Sequence, residues 1–555
     1  MKPGLRVLAF AGALAVSGTV AARLYRGDSS HALTIAWVAA ISILALATRF
    51  RGPKGRPRLS AAVLLLAVGA LPVLVRVAEM DRGRMHADEF LTGYFSATHD
   101  FAHTSFFGYM PERWEWQGQF PKPYFFLQRL FFGLFGTDTW SLRLSVQIYV
   151  AIVSIMLFLV VREMLDSKSA LVAVLLYSFF APSVYLETLG FFFVSSTAIY
   201  MVFFYFALRQ YRTGEMFPAA MAGIACGFCY LTYYSSYLAF FMLVAFFGVQ
   251  LLRDRSVRVL QNFAISLGGL SVVLAPFGAA LARAGDYASR RVSDTSILWG
   301  HLSPYREALA KGEIGPLEVL RRNLALALGF FARDDVGGAG GFEFGHFALL
   351  DRFSLLLFCA GVLIALIVIR RRTDFLFVLL TLVAAVGMVT LTMPPPTVHR
   401  FGIAFPFLVI MMTVPFWLLF RFSGLPGSVR RAIAAGLLLL FVGVNQRRFA
   451  EAVLPEQFSA DLHLAELLNQ RYGGRPVYIA AFPAFGFQKV FYFCDRWKGR
   501  RVETDFHSHL LERFNPRERY VYVVTLGKFF RKRFEEADPN GRFMPFSIGY
   551  SLFAN

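Results

Sequence analysis

The sequence predicts an all-α polytopic membrane protein with a small α/β domain at its C-terminal end. Three observations carry that reading. Of 555 residues, 56% are hydrophobic and only 17% are charged, and the mean hydropathy is +0.53, which is more apolar than soluble domains usually are. The apolar residues come in long blocks, as membrane spans require. Lys and Arg cluster in short connections between those blocks, the pattern that sets membrane orientation.

The elements follow in order. The N-terminal stretch MKPGLRVLAFAGALAVSGTVAA has the basic start, apolar middle and small-residue end of a signal peptide. Read instead as a retained first span, it balances the topology of the rest. About thirteen spans are expected, at 7–22, 32–47, 59–75, 144–161, 170–184, 191–208, 217–233, 237–252, 263–281, 353–369, 375–392, 401–420 and 432–444. The tight connections within 170–208 and 217–252 allow broken helices there.

Sidedness follows from charge. Arg49, Arg51, Lys54, Arg56 and Arg58 fill the second connection, and every second connection after it is also basic, at Arg162 and Lys168, Arg209 and Arg212, Arg253 to Arg258, Arg370 to Arg372, and Arg421 to Arg431. The positive-inside rule makes these cytoplasmic, with the N-terminus. Two long loops, 77–142 and 282–352, and the C-terminal region then face outward. This gives a transmembrane domain of 1–449 and an extracytoplasmic domain of 450–555. The net charge of +20 is read as topological and not as a nucleic-acid footprint, with a second reading in which some cations hold an anionic lipid head group.

In the second outer loop, 316–331 reads as an amphipathic helix lying on the membrane, with Pro316 in its first turn. The Gly-rich run DDVGGAGGFEFG reads either as a lid or as a connector. In the C-terminal domain, PVYIAAF and RYVYVVTLG read as buried strands, and SADLHLAELLNQRYGG and GKFFRKRFEEADPNG as amphipathic helices. Of four cysteines, Cys226 and Cys229 form a C-x-x-C inside an apolar segment, where small apolar packing is the better reading than zinc or redox chemistry. His99 and His103, spaced i, i+4 near Asp100, have metal-ligand spacing, but acidic ligation is thin and no metal or other cofactor is expected.

Chemistry concentrates in the first outer loop. HADEFLTGYF places Asp88 and Glu89 just past a span; PKPYFFLQRLFFGLFG and TDTWSLRLS add Lys122, Arg129 and Arg143. A carboxylate near a bilayer serves as a proton acceptor, and nearby cations stabilise a phosphate leaving group. The combination suits group transfer from a lipid phosphate.

These stretches resemble the first outer loop of GT-C fold, polyprenyl-phosphate-sugar-dependent glycosyltransferases, in particular bacterial relatives of dolichyl-phosphate-mannose protein mannosyltransferases such as aminoarabinose and galacturonic acid transferases. The matching elements are DE at 88–89, KPY at 122–124, LFG at 134–136, Arg143, and PPPTVHRFGIAFPFLVI with His399 and Arg400. Tyr124 replaces the second Pro of a Lys-Pro-Pro element, two extra spans precede the acidic loop's own span, Glu187 is the nearest match to a second acid, and Tyr233 and Tyr234 stand where many relatives carry a Lys. The resemblance implies an inverting sugar transfer from a polyprenyl-phosphate donor to a lipid A, lipopolysaccharide, glycan or protein acceptor at the outer face of the inner membrane. It makes Asp88 the base and Glu89 its support, and gathers Lys122, Arg143, His399 and Arg400 around the lipid phosphate. A transporter or flippase for lipid-linked saccharide would predict ionisable residues in mid-span, of which there are few; a non-catalytic assembly factor would leave Asp88 replaceable.

Overall fold

The structure, a computed structural model, describes residues 3–28, 30–48, 59–80, 87–98, 106–107, 123–137, 139–191, 193–285, 290–337, 344, 347–421, 424–453, 467–468, 470–471, 475–480, 502–505, 519–525, 527–547 and 550–554. The chain divides into two compact units, Met1–Asp81 with Phe95–Ala452, and Arg82–Tyr94 with Val453–Asn555.

All thirteen expected apolar stretches fall on helices. The chain opens with α1 (Pro3–Tyr25), α2 (His31–Thr48) and α3 (Leu59–Glu79), and the first long loop holds α4 (Ala87–Thr98) and α5 (Pro123–Phe135). Then come α6 (Thr139–Met164), α7 (Ser167–Phe179), α8 (Ala181–Glu187), α9 (Phe193–Thr213), α10 (Met216–Cys229), α11 (Leu238–Arg253) and α12 (Val257–Ala284). The second long loop carries α13 (Arg290–Asp294), α14 (Arg306–Ala310) and α15 (Pro316–Gly329), before α16 (Arg352–Val368), α17 (Asp374–Thr390), α18 (Phe405–Arg421) and α19 (Gly427–Ala452). Among the described residues, eight helices are long and apolar enough to cross a membrane, and α7 with α8, bent by 61°, makes a ninth. The other four expected spans differ for physical reasons. Helix α9 has 21 residues with fourteen of them buried, so its polar Ser195–Thr197 run faces protein, where apolarity is not demanded. Helices α10, α16 and α17 have 14, 17 and 17 residues, roughly 21–26 Å.

Three spans contain an internal proline, and each proline frees the carbonyl four residues before it. Pro276 in α12 frees Val272 O, which accepts from Ser17 Oγ at 2.7 Å and Trp37 Nε1 at 3.1 Å. This pins α1 and α2 to α12, and Trp37 packs there edge-on against Phe107 and Phe277. Pro72 in α3 frees Val68 O, which accepts from Ser154 Oγ of α6 at 2.7 Å. Pro415 in α18 frees Met411 O, and there α16 comes so close that a Cβ on Gly361 would stand 1.9 Å from that oxygen. Close approach also joins α10 to α12: a Cβ on Gly223 would stand 1.9 Å from Ser266 O, and Gly227, four residues on, meets Val273, a small-residue helix interface. The buried free thiols Cys226 and Cys229 lie on the same helix.

The break between α7 and α8 is sealed by Arg76. Its guanidinium donates to Glu187 Oε2 (2.7 Å), Ser178 O (2.8 Å), Pro72 O (3.3 Å), Tyr177 O (3.1 Å) and Ser183 Oγ (2.8 Å), which uses all five of its N–H donors. Tyr177 OH donates to the other Glu187 oxygen. Arg76 is fully buried, and Glu187 nearly so. Other arginines cap helix C-termini in the same way: Arg283 at Leu24 O (2.9 Å), Arg430 at Phe420 O (2.7 Å), and Arg212 and Arg372 at Glu163 O and Met164 O.

Four basic connections meet at one end of this bundle. Arg212 pairs with Asp374 and with Glu163 (3.6 Å), and Arg253 donates to Thr373 Oγ1 (2.7 Å). At the other end, the second long loop is tied to the connection between α17 and α18. Ile297 N donates to Leu391 O (3.0 Å), Met393 N to Thr295 O (2.9 Å), and Asn323 of α15 to Thr390 O (2.5 Å) and Thr392 O (2.7 Å). Helix α15 buries Val319, Asn323 and Ala327 and exposes Leu317, Leu324 and Leu328, as an amphipathic interfacial helix does. Hydrogen bonds from Arg321 and Arg322 hold the Glu318 carboxyl down at about 2. Residues 338–343 of the Gly-rich run, read as lid or connector, lie outside the described residues.

In the second unit, strands β1 (Val477–Ala480), β2 (Val502–Asp505), β3 (Val521–Thr525), β4 (Arg542–Ser547) and β5 (Tyr550–Ala554) form one sheet in the order β2-β1-β3-β5-β4. Strand β1 pairs in parallel with both β2 and β3, while β3–β5 and β4–β5 are antiparallel. Pro545 sits in the edge strand β4, where a missing donor is tolerated. Tyr520, Tyr522 and Phe553 pack with Phe534 of the helix Gly527–Ala537. Burial, reinforced by the bond to Asp538, pushes the Tyr520 hydroxyl above its usual range. Of the four expected C-terminal elements, two strands and the later helix are present; 459–466 and 472–474 of the earlier expected helix lie outside the described residues.

Two outcomes follow from this packing. Arg76→Met leaves the Glu187 carboxylate buried without its cation and is expected to destabilise by roughly 3–5 kcal/mol. The double variant Arg76→Met, Glu187→Leu recovers part of that loss; thermal unfolding in detergent reads both, and equal midpoints for single and double variants would count against the pairing. Gly361→Leu forces α16 off α18 and is expected to cost about 1–3 kcal/mol, whereas Gly436→Leu, with nothing within 4 Å of its Cβ position, leaves the midpoint unchanged.

Candidate functional site

The first long loop departs from the C-terminal end of α3 and returns at α6, and Arg143 joins those two points. Arg143 is the fifth residue of α6, is buried, and donates to Met80 O, one residue beyond α3. A guanidinium at a helix C-terminus is favoured by the helix dipole as well as by the bond. The residue sequence-matched to a lipid-phosphate contact is thus also the clasp at the base of the loop.

Asp88 and Glu89 stand in the first turn of α4, and Glu89 is fully buried. Carboxylates are favoured at a helix N-terminus. The other end of α4 is held by α5. Ser96 Oγ donates to Gln128 Oε1 (2.6 Å), Gln128 Nε2 donates to Gly190 O (3.1 Å), and Arg129 donates to Ala97 O (2.7 Å). Helix α5 is amphipathic: Phe125, Gln128 and Phe132 are buried, while Leu130, Leu134 and Phe135 are exposed. Its aromatic run therefore serves as an interfacial helix. Lys122, and His99, Asp100 and His103 of the weighed metal site, lie outside the described residues.

His399 and Arg400 lie on a 3-10 helix, Val398–Ala404, between α17 and α18. The His399 ring is buried and stacks on Phe193 with centroids 4.7 Å apart, and Tyr233 packs edge-on against both rings. Tyr233 precedes a second 3-10 helix, Tyr234–Tyr237, between α10 and α11. Arg400 donates to Thr392 Oγ1 (3.1 Å) and Met393 O. Two irregular span ends and the start of α9 therefore converge on His399. In lipid-embedded proteins such backbone occurs where it is buried in protein or lines a cavity.

Glu187, the nearest match to a second acid, is the buried partner of Arg76 and Tyr177. Sequence inspection missed Arg76 because a span of 59–75 ends just before it; α3 continues to Glu79. The available signal was a lone arginine one turn inside an apolar run.

Known proteins resemble this chain in sequence over one segment and in fold over most of its length. The family described as "Dolichyl-phosphate-mannose-protein mannosyltransferase" matches residues 121–281, a segment that contains Lys122, the LFG element and Arg143 but not Asp88 and Glu89. No curated protein matches. Among solved structures, ArnT from Cupriavidus metallidurans in the apo state aligns with a TM-score of 0.54 at 12% identity, over 89% of this chain and 98% of that one. ArnT from the same organism bound to undecaprenyl phosphate gives a TM-score of 0.52 at 12% identity, over 90% and 98%. At this identity the likeness is one of fold. The family match covers one segment and the fold likeness most of the chain: this is a multi-pass membrane protein with the GT-C fold, part of whose sequence matches a glycosyltransferase family.

Proposed function

We propose that the protein transfers a sugar from a polyprenyl-phosphate carrier to an envelope acceptor at the outer face of the inner membrane, with inversion at the anomeric carbon. The observation that carries this reading is the family match over 121–281, which begins one residue before Lys122 and runs through Arg143. The fold shared with an ArnT structure that holds undecaprenyl phosphate supports the choice of carrier.

In the proposed reaction the acceptor hydroxyl oxygen attacks the anomeric carbon. The bond from that carbon to the carrier's phosphate oxygen breaks, and its electron pair leaves with the phosphate. The hydroxyl proton passes to the Asp88 carboxylate. An aspartate with an ordinary pKa near ~3.9 is a weak base, so it works by orienting the hydroxyl and taking a proton that has become acidic late in bond formation. Glu89 supports the acid or contacts sugar hydroxyls. Lys122, Arg143, His399 and Arg400 surround the phosphate and stabilise its growing charge. Arg143 also fixes the loop's base through Met80. The acceptor is lipid A, lipopolysaccharide, another glycan or a protein.

The alternating basic connections support an orientation with the N-terminus cytoplasmic and the first long loop and C-terminal domain (450–555) outside. The expected outcome for Met85→Cys, in a chain whose native cysteines are replaced by serine, is labelling by an impermeant maleimide in right-side-out vesicles and not in inverted ones; the reverse pattern overturns the orientation. Asp88→Asn, checked for normal insertion, is expected to lower transfer from radiolabelled polyprenyl-phosphate sugars by at least about a hundredfold. Undiminished transfer would remove Asp88 as the base.

A further inference from the structure

The basic end of the bundle, away from the irregular span ends around His399, holds a cavity of about 440 Å³. It lies between the α9–α10 turn and the α11–α12 connection, and its lining includes Tyr211, Gly214, Arg253, Asp254, Arg258 and Asn262. Its volume is within the usual range for small-ligand sites.

The charges in it are unevenly matched. Arg212, which also borders the cavity, is neutralised by Asp374 and Glu163. Arg253 bonds only neutral partners, the hydroxyls of Tyr211 and Thr373. Neither Arg253 nor Arg258 has a carboxylate partner among the described residues. Asp254, the one acid in the lining, accepts from Ser256 Oγ (3.1 Å). The cavity therefore keeps an excess of positive charge.

A second observation points to an occupant with donors of its own. Asn262 is buried; its Nδ2 donates to Gly214 O (2.9 Å), while its Oδ1 has no hydrogen-bond partner among the described residues. A buried acceptor left without a donor is costly, and Asn262 borders this cavity. Next in sequence to lining residues, at the ends of α11 and α12, Leu252, Val257 and Leu260 are 79%, 69% and 53% exposed. Exposed apolar side chains flanking cationic ones at the end of a span suit lipid.

The geometry points to a binding site for the head group of an anionic phospholipid of the leaflet at the basic end, with its phosphate between Arg253 and Arg258 and a head-group hydroxyl donating to Asn262 Oδ1. A phosphoglycerol head group has that chemistry: one negative charge with hydroxyl donors. Phosphate chemistry is shared by a free anion, but the exposed Leu252, Val257 and Leu260 that flank the lining residues along α11 and α12 favour lipid as the source. The occupied site would clamp α9 and α10 to α11 and α12 at the end opposite His399.

Native mass spectrometry of the full chain in detergent, titrated with phosphatidylglycerol or phosphatidylcholine, tests this. The wild type is expected to prefer phosphatidylglycerol. Arg258→Gln, whose side chain makes no described hydrogen bond, is expected to weaken that preference by about fivefold, and Arg253→Gln with Arg258→Gln by roughly 25-fold. Arg431→Gln, exposed on another basic connection, should leave it unchanged. An undiminished preference in Arg258→Gln overturns the site, as does an equal loss in Arg431→Gln, which would mark diffuse surface attraction. Displacement of phosphatidylglycerol by millimolar inorganic phosphate would reassign the site to a soluble anion and overturn the lipid reading.

Discussion

A helix surrounded by hydrocarbon must have every backbone polar group satisfied from within the protein, and this constraint governs the membrane unit. Two of the three proline breaks are matched by named donors: Pro72 is answered by Ser154, and Pro276 by Ser17 and Trp37, while at Pro415 the freed Met411 carbonyl meets the close approach of Gly361. The break after Phe179 is answered by Arg76, whose five donors reach two helix-end carbonyls, the α3 backbone, Ser183 and Glu187. An ion pair this deeply buried is weak evidence for stability by itself. Here it joins the end of α3, from which the acidic loop leaves, to the bent span α7–α8. The same charge that offsets Glu187 terminates a helix.

Arginines at the basic end do comparable work. The structure gives a reason why so many of them are Arg. The planar fork of Arg212 or Arg372 reaches carbonyls at a helix end while keeping its charge near lipid head groups. One end of the bundle is thereby cross-tied through Arg212, Asp374, Arg253 and Thr373. At the other end the connections are irregular, with two 3-10 helices meeting near His399. Regular helices thus fix the frame at one end, and irregular backbone gathers Phe193, Tyr233 and His399 at the other.

Much of the fold was legible because long apolar runs have few alternatives. All thirteen runs are helical, and the tight 170–208 segment does contain a break. Helix length was less legible. The run 217–233 continues past Cys229 into turn backbone with aromatic and apolar residues still present, so composition did not mark the helix end. In the C-terminal unit the unbroken apolar strands β1 and β3 were readable, while β2 (VETD) and β4 with its proline carry no such signal. At the site, Arg143 was found from its motif, but its bond to Met80 is a long-range contact no local pattern contains. Arg76 and Glu187 stand 111 residues apart, and neither has a neighbour in sequence that announces the other.

The carbonyl of Val272 also sets a problem of timing for the cell. Its two donors, Ser17 and Trp37, precede it by 255 and 235 residues. At synthesis rates of about 5–20 residues per second, roughly 10 to 50 s separate their emergence from the ribosome. During that interval the first helical hairpin resides in the bilayer with a hydroxyl and an indole N–H awaiting their acceptor. Biogenesis of this protein therefore includes a late docking step, in which a hairpin made first is received by the twelfth helix, and whatever escorts nascent helices through the membrane must hold that hairpin until then.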